Sequence, residues 1–417
     1  MKPKRYLIIG AGQAGCRAAQ TLRAEEPDCE ITLIGDEPHH PYERPQLSKG
    51  VLAGSTDINQ LFMAKPDYFE HQAIQLLTSS VVDAIDPRAK EVSLANGLRI
   101  TYDKLLLTTG SQVRQLRVPG SHFTGIHYLR SLEQAQALRT DLSTAKNLVV
   151  VGAGFIGLEV AAIARQFYAC TVTVVEAGDT VLQRGVPPEM RQKIHQLHST
   201  NGVMFRFGKK VVAFQGDQSG SQVAHVECHD GETIKADCVV IGIGIEPRVK
   251  LAQQAGIAVQ NGVVVNQYCE TSSADIYAAG EVTSHWNAQL DEFIRLESWQ
   301  TAELQPVCAA LNMTGTISPY NQIPWFWTDQ FDINIQLVGV LSSGQTCVSR
   351  HYNDQKFVYF YFTEQKLVGA FAFNSGKDIR ATQKLLEKGI NPDPERLSDP
   401  TQDLRKLIKT GTARTNI

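Results

Sequence analysis

Two stretches of the chain carry the same order of apolar and polar positions. Tyr6-Leu7-Ile8-Ile9 is a short unbroken apolar run, which predicts a buried strand, and it leads into Gly10-Ala11-Gly12-Gln13-Ala14-Gly15. Residues 16–23 then read as a helix, and Ile31-Thr32-Leu33-Ile34 as a second strand ending at Gly35-Asp36-Glu37. The second copy runs Leu148-Val149-Val150-Val151, then Gly152-Ala153-Gly154-Phe155-Ile156-Gly157, then a helix through Glu159 to Phe167. Its second strand, Thr171-Val172-Thr173-Val174-Val175, ends at Glu176.

Elsewhere the period changes. Residues 75–107 predict short strands: Val81-Val82-Asp83-Ala84-Ile85 alternates, Asp86-Pro87-Arg88 and Ala95-Asn96-Gly97 are turns, and Leu105-Leu106-Leu107 is a buried strand ending in Thr108-Thr109-Gly110. Residues 111–120 read as a linker and 205–236 as a β-meander. Cys238-Val239-Val240-Ile241 is a strand with a flexible exit through Gly242 and Gly244. A short strand over 271–278 ends in Ala279-Gly280-Glu281, and 295–311 reads as a helix. After Pro319, Trp325-Phe326-Trp327 and alternating runs over 333–340 and 357–362 predict an antiparallel sheet. A helix over 379–388 and a polar tail after Pro392 follow. The sum is an α/β chain with two Rossmann-like dinucleotide-binding folds and a small C-terminal α+β domain.

Each repeat is a complete dinucleotide fingerprint, G-x-G-x-x-G between strand and helix with an acid about 20 residues on. The first glycine makes the tight turn and the second lets backbone approach a pyrophosphate. The third lets helix pack on strand, and the helix N-terminus offers free N–H groups to phosphate. Asp36 and Glu176 are each placed to accept from a ribose diol. Because each copy has its own acid, the chain has two dinucleotide sites, not two halves of one.

Composition narrows the class. A chain of 417 residues, 43% hydrophobic and 20% charged, is a soluble protein of two or three domains, and a net charge of −3 gives no reason to expect nucleic acid. Eight cysteines include no C-x-x-C pair, which argues against a zinc or iron–sulfur site and a redox-active disulfide, and for a reducing cytoplasm. The apolar run behind the basic start is too short for a signal peptide core, and glycine turns and Glu159 interrupt residues 147–164, so no membrane span is expected. His39-His40 lies in a proline-broken loop over 39–49 with no third ligand in view, so no metal is assigned.

Three motifs make a resemblance specific. Tyr42-Glu43-Arg44-Pro45-Gln46-Leu47-Ser48-Lys49, Gly154-Phe155-Ile156-Gly157-Leu158-Glu159-Val160-Ala161-Ala162 and Pro324-Trp325-Phe326-Trp327-Thr328-Asp329-Gln330 resemble those of the oxygenase-coupled ferredoxin reductases, pyridine-nucleotide flavoprotein oxidoreductases. The likeness runs from about Tyr6 to Ile390. Gln46 stands where the family has a second proline, Glu281 where it has aspartate, and Thr328 where it has serine. The resemblance implies an FAD-binding domain over 1–112 and 245–320, an NAD-binding domain over 113–244 and a C-terminal domain over 321–417. It implies hydride transfer from NADH to FAD, then single-electron transfer to a [2Fe–2S] ferredoxin, Rieske type included. That ferredoxin feeds a terminal oxygenase, foremost an aromatic-ring-hydroxylating dioxygenase. A monomer or weak homodimer is expected.

By residue, the resemblance gives the FAD pyrophosphate to Gly10, Gly12, Ala14 and Gly15, and the adenosine ribose to Asp36. Arg44 adds charge on the adenine side, Pro45 packs on the flavin, Lys49 lies near its N5 and the Val82 backbone clasps adenine. Thr109 and Gly110 end the strand beside the cofactor, Arg130 reaches the phosphates, Glu281 holds the ribityl chain and Trp299 lies by the pyrimidine end of the ring. NADH falls to Gly152, Gly154, Phe155, Ile156, Gly157, Glu176, Arg184 and Gly244. Glu159 faces the nicotinamide, paired with Lys49, and Trp327 lies against the isoalloxazine; these three are the catalytic candidates.

From the residues alone, Trp325 and Trp327 share one strand face and read first as core, while the apolar neighbours of Glu159 favour its burial, which demands a partner. The competing functions are a reductase for the ferredoxin of a cytochrome P-450, with rubredoxin a poorer acceptor, an apoptosis-inducing-factor-like flavoprotein, and a coenzyme A disulfide reductase. The last needs a cysteine in the first domain's loop, and none occurs between Cys29 and Cys170. From Lys377 onward nine basic residues face six acidic ones, and Arg380, Lys384 and Lys388 recur every four residues, a candidate face for an acidic ferredoxin.

Overall fold

The computed structural model describes residues 2–183, 185–287 and 290–410. By its contacts the chain forms two compact units. One comprises residues 1–44, 57–112 and 245–322; the other comprises 45–56, 113–244 and 323–417. Residues read above as three domains thus group into two bodies, with the short segment 45–56 joining the second.

The first unit is built on a five-stranded parallel sheet in the order Ile276–Ala278, Lys104–Leu107, Arg5–Ile9, Glu30–Ile34, Ile74–Leu77. Period 2 sorts the central strand. Tyr6 and Ile8 bury against Cys16, Ala19 and Leu22 of the helix Gln13–Glu25, and Leu7 and Ile9 bury against Val92 and Leu94 of a three-stranded antiparallel sheet. The helix Gln13–Glu25 also meets Trp299–Thr314, where Glu303 accepts from Gln13 and pairs with Arg17.

The second unit repeats the scheme in the order Met204–Arg206, Thr171–Val175, Asn147–Val151, Cys238–Ile241, Ile126–His127, with the helix Phe155–Phe167 after the central strand. It adds the antiparallel meander Val211–Gly216, Val223–Cys228, Thr233–Lys235. It also holds a five-stranded antiparallel sheet ordered Trp325–Gln330, Ile333–Gly339, Lys366–Phe373, Lys356–Thr363, Thr346–Asn353. The helix Gly376–Glu387 buries Ile379, Ala381 and Leu385 beside Val358 and Phe360 of that sheet.

Five expectations need correction. The helix expected over 295–311 is Trp299–Thr314, because the Ser298 side chain accepts from the Thr301 N–H and fixes the start. The strand expected over 271–278 is only Ile276–Ala278. Residues 81–85 do not alternate: a register shift between Val82 and Ala84 leaves Val82 and Ile85 buried and Asp83 and Ala84 exposed. The linker opens as a strand, since Ser111 and Gln112 begin a two-stranded ribbon with Ile245–Pro247. The polar tail also carries the helices Pro394–Ser398 and Leu404–Thr410, which bury Leu397, Leu404 and Leu407.

The glycines of the two turns differ in what the fold asks of them. Gly10 has φ +115° and Gly152 φ +104°, and a Cβ on either would strike the carbonyl oxygen ending the neighbouring parallel strand, at Thr108 and Gly242 respectively. A Cβ on Gly15 or Gly157 would strike the Gly10 or Gly152 carbonyl. Among the described residues a Cβ on Gly12 would meet nothing within 4 Å, and one on Gly154 only the Gly242 carbonyl at 3.9 Å. In the cofactor-free protein, Gly10→Ala should therefore cost about 1–3 kcal/mol or more in chemical denaturation, and Gly12→Ala under about 1 kcal/mol. Equal losses would contradict this division.

Candidate active site

The first unit presents a dinucleotide cradle at the end of its central strand. The helix Gln13–Glu25 starts at Gly12 with no capping side chain and no acid in its first turn, so its leading N–H groups face the open space before Gly12. Ala14 is buried, and a Cβ on Gly280 would lie 3.1 Å from its methyl, which keeps the Gly280-Glu281 turn close by. That turn is held by buried Gln305, whose Oε1 accepts from the Gly280 N–H at 2.8 Å and the Thr283 hydroxyl at 3.0 Å. The Thr109 hydroxyl donates to the Arg248 carbonyl, and the Arg248 N–H to that of Gly110. Trp299 opens the helix that Ser298 caps.

Both acids after the second strand have protein partners. Asp36 pairs with Arg248 at 2.6 Å, on a side chain still about half exposed. Glu37 takes Arg44 at 2.5 Å and the Tyr42 hydroxyl at 2.6 Å. Burial alone would lower the Arg44 pKa, but Tyr42, Glu37 and Glu281 around the guanidinium outweigh it and raise the value above the ordinary one. Arg44 is therefore a largely compensated charge. Val82 lies at the bulge described above.

The second unit repeats the cradle. The helix Phe155–Phe167 begins at Gly154, again without a capping side chain or an early acid, whereas Ser131 caps Leu132–Leu142 with a full capping box. Glu176 is anchored by backbone: one oxygen accepts from the Ala153 N–H at 2.7 Å and the other from the Gly178 N–H at 2.8 Å. The acid is thus locked onto the glycine turn it serves. Phe155 packs on Phe326 with centroids 4.5 Å apart, and Ile156 is 45% exposed, an unusual place for a large apolar side chain at a helix start. The Arg130 N–H donates to Gln134, and Gly244 has φ +103°. Arg184 lies outside the described residues.

Both turns fit a dinucleotide: uncapped helix starts, a middle glycine with free space before it, and an acid at the second strand's end.

Glu159 is buried in the second unit, with an ion pair to Lys49 and hydrogen bonds from the hydroxyls of Ser48 and Thr328, each at 2.5 Å. The pairing expected from sequence is present; Ser48 and Thr328 are additions. Behind Thr328 stand two more buried polar side chains. Gln330 Nε2 donates to the Thr328 hydroxyl at 3.3 Å, and Gln330 Oε1 lies 2.8 Å from His198 Nε2. Burial lowers the His198 pKa from 6.5 to about 4, leaving the ring neutral. Two periodicities could have flagged these residues. Thr328 and Gln330 lie on the strand face opposite Trp325 and Trp327, and Met190, Ile194 and His198 form the buried stripe of Pro188–Thr200.

Trp327 stacks on Trp325 with centroids 5.0 Å apart. The cysteines are free thiols, and burial pushes Cys16 up to about 12, far from a reactive thiolate. Among the described residues no group of His, Cys, Asp and Glu could hold a metal, and no helix is long and apolar enough to cross a membrane.

The model of the pyridine nucleotide-disulphide oxidoreductase family matches residues 4–305, and that of the reductase C-terminal domain matches 325–408. The chain is 40% identical, over 410 residues, to the anthranilate 1,2-dioxygenase system ferredoxin–NAD(+) reductase component of Burkholderia cepacia, covering 98% of this chain and 100% of that one. It is 38% identical to rhodocoxin reductase of Rhodococcus erythropolis, covering 96% and 94%. The crystal structure of the covalent putidaredoxin reductase–putidaredoxin complex superposes with a TM-score of 0.94 at 32% identity, covering 99% of each chain.

The anchored Glu176 carries a prediction about cofactor choice. A 2′-phosphate would meet its fixed charge and forfeit the diol's hydrogen bonds, each worth about 1.5–3 kcal/mol to a charged acceptor. NADH should exceed NADPH in kcat/KM by roughly 10- to 150-fold; near-equal values would refute the role of Glu176.

Proposed function

The chain belongs to the pyridine nucleotide-disulphide oxidoreductase family, and from that premise we propose that it is an NADH:ferredoxin reductase that supplies a terminal oxygenase, foremost an aromatic-ring-hydroxylating dioxygenase. FAD, when bound, accepts a hydride from NADH and gives up its electrons one at a time to a [2Fe–2S] centre. One observation carries the reading. The chain has two complete dinucleotide folds but no cysteine pair at redox spacing, so electrons entering as a hydride have no dithiol through which to leave. The named relatives support the same exit, to a ferredoxin.

The residues divide the work by position. The N–H groups after Gly10, Gly12, Ala14 and Gly15 bind the FAD pyrophosphate, and Asp36, half exposed beside Arg248, keeps lone pairs for the ribose. Val82, Arg44, Pro45, Thr109, Gly110, Arg130, Glu281 and Trp299 complete the flavin site in this reading. Gly152, Gly154, Phe155, Ile156, Gly157, Glu176 and Gly244 hold NADH. Lys49 and Glu159 orient the reacting rings, and Trp327 shields them. Rieske-type ferredoxins and a monomeric or weakly dimeric reductase belong to the same reading.

Arg380, Lys384 and Lys388 are exposed along the helix Gly376–Glu387 and its C-cap, as docking of an acidic partner requires. Cytochrome c reduction by NADH should need an added oxygenase-type [2Fe–2S] ferredoxin. Its rate should fall as salt shortens the Debye length from about 10 Å at 0.1 M to about 3 Å at 1 M. NADH-to-ferricyanide activity should change little. A full cytochrome c rate without ferredoxin would contradict the function, and a salt-independent rate would contradict the docking helix.

A further inference from the structure

Four buried side chains in the second unit form a line: Glu159 on the helix Phe155–Phe167, Thr328 and Gln330 on the strand Trp325–Gln330, and His198 on the helix Pro188–Thr200. Donor and acceptor chemistry fixes its direction. The carboxylate bonded to Lys49 can only accept, so the Thr328 hydroxyl spends its one proton on Glu159 Oε1. The Thr328 oxygen must then accept, which turns the Gln330 amide to present its NH2 at 3.3 Å. The Gln330 carbonyl therefore faces His198, and His198 Nε2 must carry the hydrogen across 2.8 Å. This leaves His198 Nδ1 as a bare lone pair. It has no hydrogen-bond partner among the described residues, and the opposite tautomer would strand a buried N–H there. The lowered His198 pKa keeps the ring neutral, as this orientation requires.

We propose that His198, Gln330 and Thr328 are a one-way positioning chain that aims a donor at Glu159 and sets the orientation of its carboxylate for the hydride step. The inference rests on the reading of the chain as an NADH-dependent flavoprotein reductase. Every donor in the network is turned toward the charge that Lys49 shares, and each bond polarises the next toward it. The hydrogen bonds to Glu159 come from Ser48, Lys49 and Thr328, so His198 and Gln330 act through Thr328.

The test uses the FAD-loaded protein with three variants. Thr328→Val keeps the shape and removes the donor, Thr328→Ser keeps the donor, and His198→Phe frees the Gln330 amide to turn. Anaerobic stopped flow should show the limiting rate of flavin reduction by NADH falling about tenfold in Thr328→Val, a loss of one charged hydrogen bond. Recovery in Thr328→Ser, a smaller loss in His198→Phe and an unchanged dissociation constant for NADH are also expected. Independently of turnover, imidazole ¹⁵N spectra should show His198 as the neutral Nε2–H tautomer at pH 6, and the Nε2–H proton resonance should move upfield in Gln330→Leu as its hydrogen bond to the amide carbonyl is lost. A wild-type reduction rate in Thr328→Val, or a His198 protonated on Nδ1, would overturn the chain while leaving the reductase assignment intact. Failure of NADH to reduce the flavin of the unmodified protein would instead sink that assignment, and the tautomer measurement would still judge the chain.

Discussion

The second unit is organised around a charge that cannot be buried alone. Glu159 is 3% exposed on a helix whose neighbouring residues are Leu158, Val160, Ala161 and Ala162, none of which can partner it. Its partners come from two distant segments, Ser48 and Lys49 on one side and Thr328 on the other. This explains why residues 45–56 leave the unit that holds their neighbours on both sides. Leu52 enters the second unit's core, and its carbonyl accepts from the Tyr168 hydroxyl at 2.6 Å. One buried carboxylate thus ties a loop, a dinucleotide fold and an antiparallel sheet into one body.

The two dinucleotide folds show how a repeated motif separates structural from functional demands. In both copies the first and third glycines are required by carbonyls of the chain itself, and the middle one by nothing close among the described residues. Such a position leaves room for a phosphate to approach the backbone. The copies differ at their acids. Glu176 is clamped by two backbone N–H groups, while Asp36 shares a half-exposed ion pair with Arg248. The second site therefore presents a more rigid acceptor, and the first one that a bound ribose can draw away from its arginine.

Much of this was legible in the sequence because it is local. Both strand–turn–helix units, their acids and the shared face of Trp325 and Trp327 follow from periods of two and 3.6 and from glycine spacing. The bulge at Val82 was hidden because Val81-Val82-Asp83-Ala84-Ile85 satisfies alternation on paper while the register shifts by one residue. The start of Trp299–Thr314 is not legible because the apolar pattern runs past its cap at Ser298. Arg44 reads as a free charge until Glu37 and Tyr42 close around it. The meeting of Thr328, Gln330 and His198 is illegible for a different reason. Each face is periodic, but nothing local says that a strand face near residue 328 meets a helix stripe near residue 198.

The most direct test of the account is a double-mutant cycle on the rate of flavin reduction by NADH, using Lys49→Met, Glu159→Gln and the double variant, each checked for full FAD content. If the buried pair acts as one unit, each single change slows reduction, and the double variant is little slower than the worse single one. Wild-type rates in both single variants, or losses that simply multiply in the double, would contradict it.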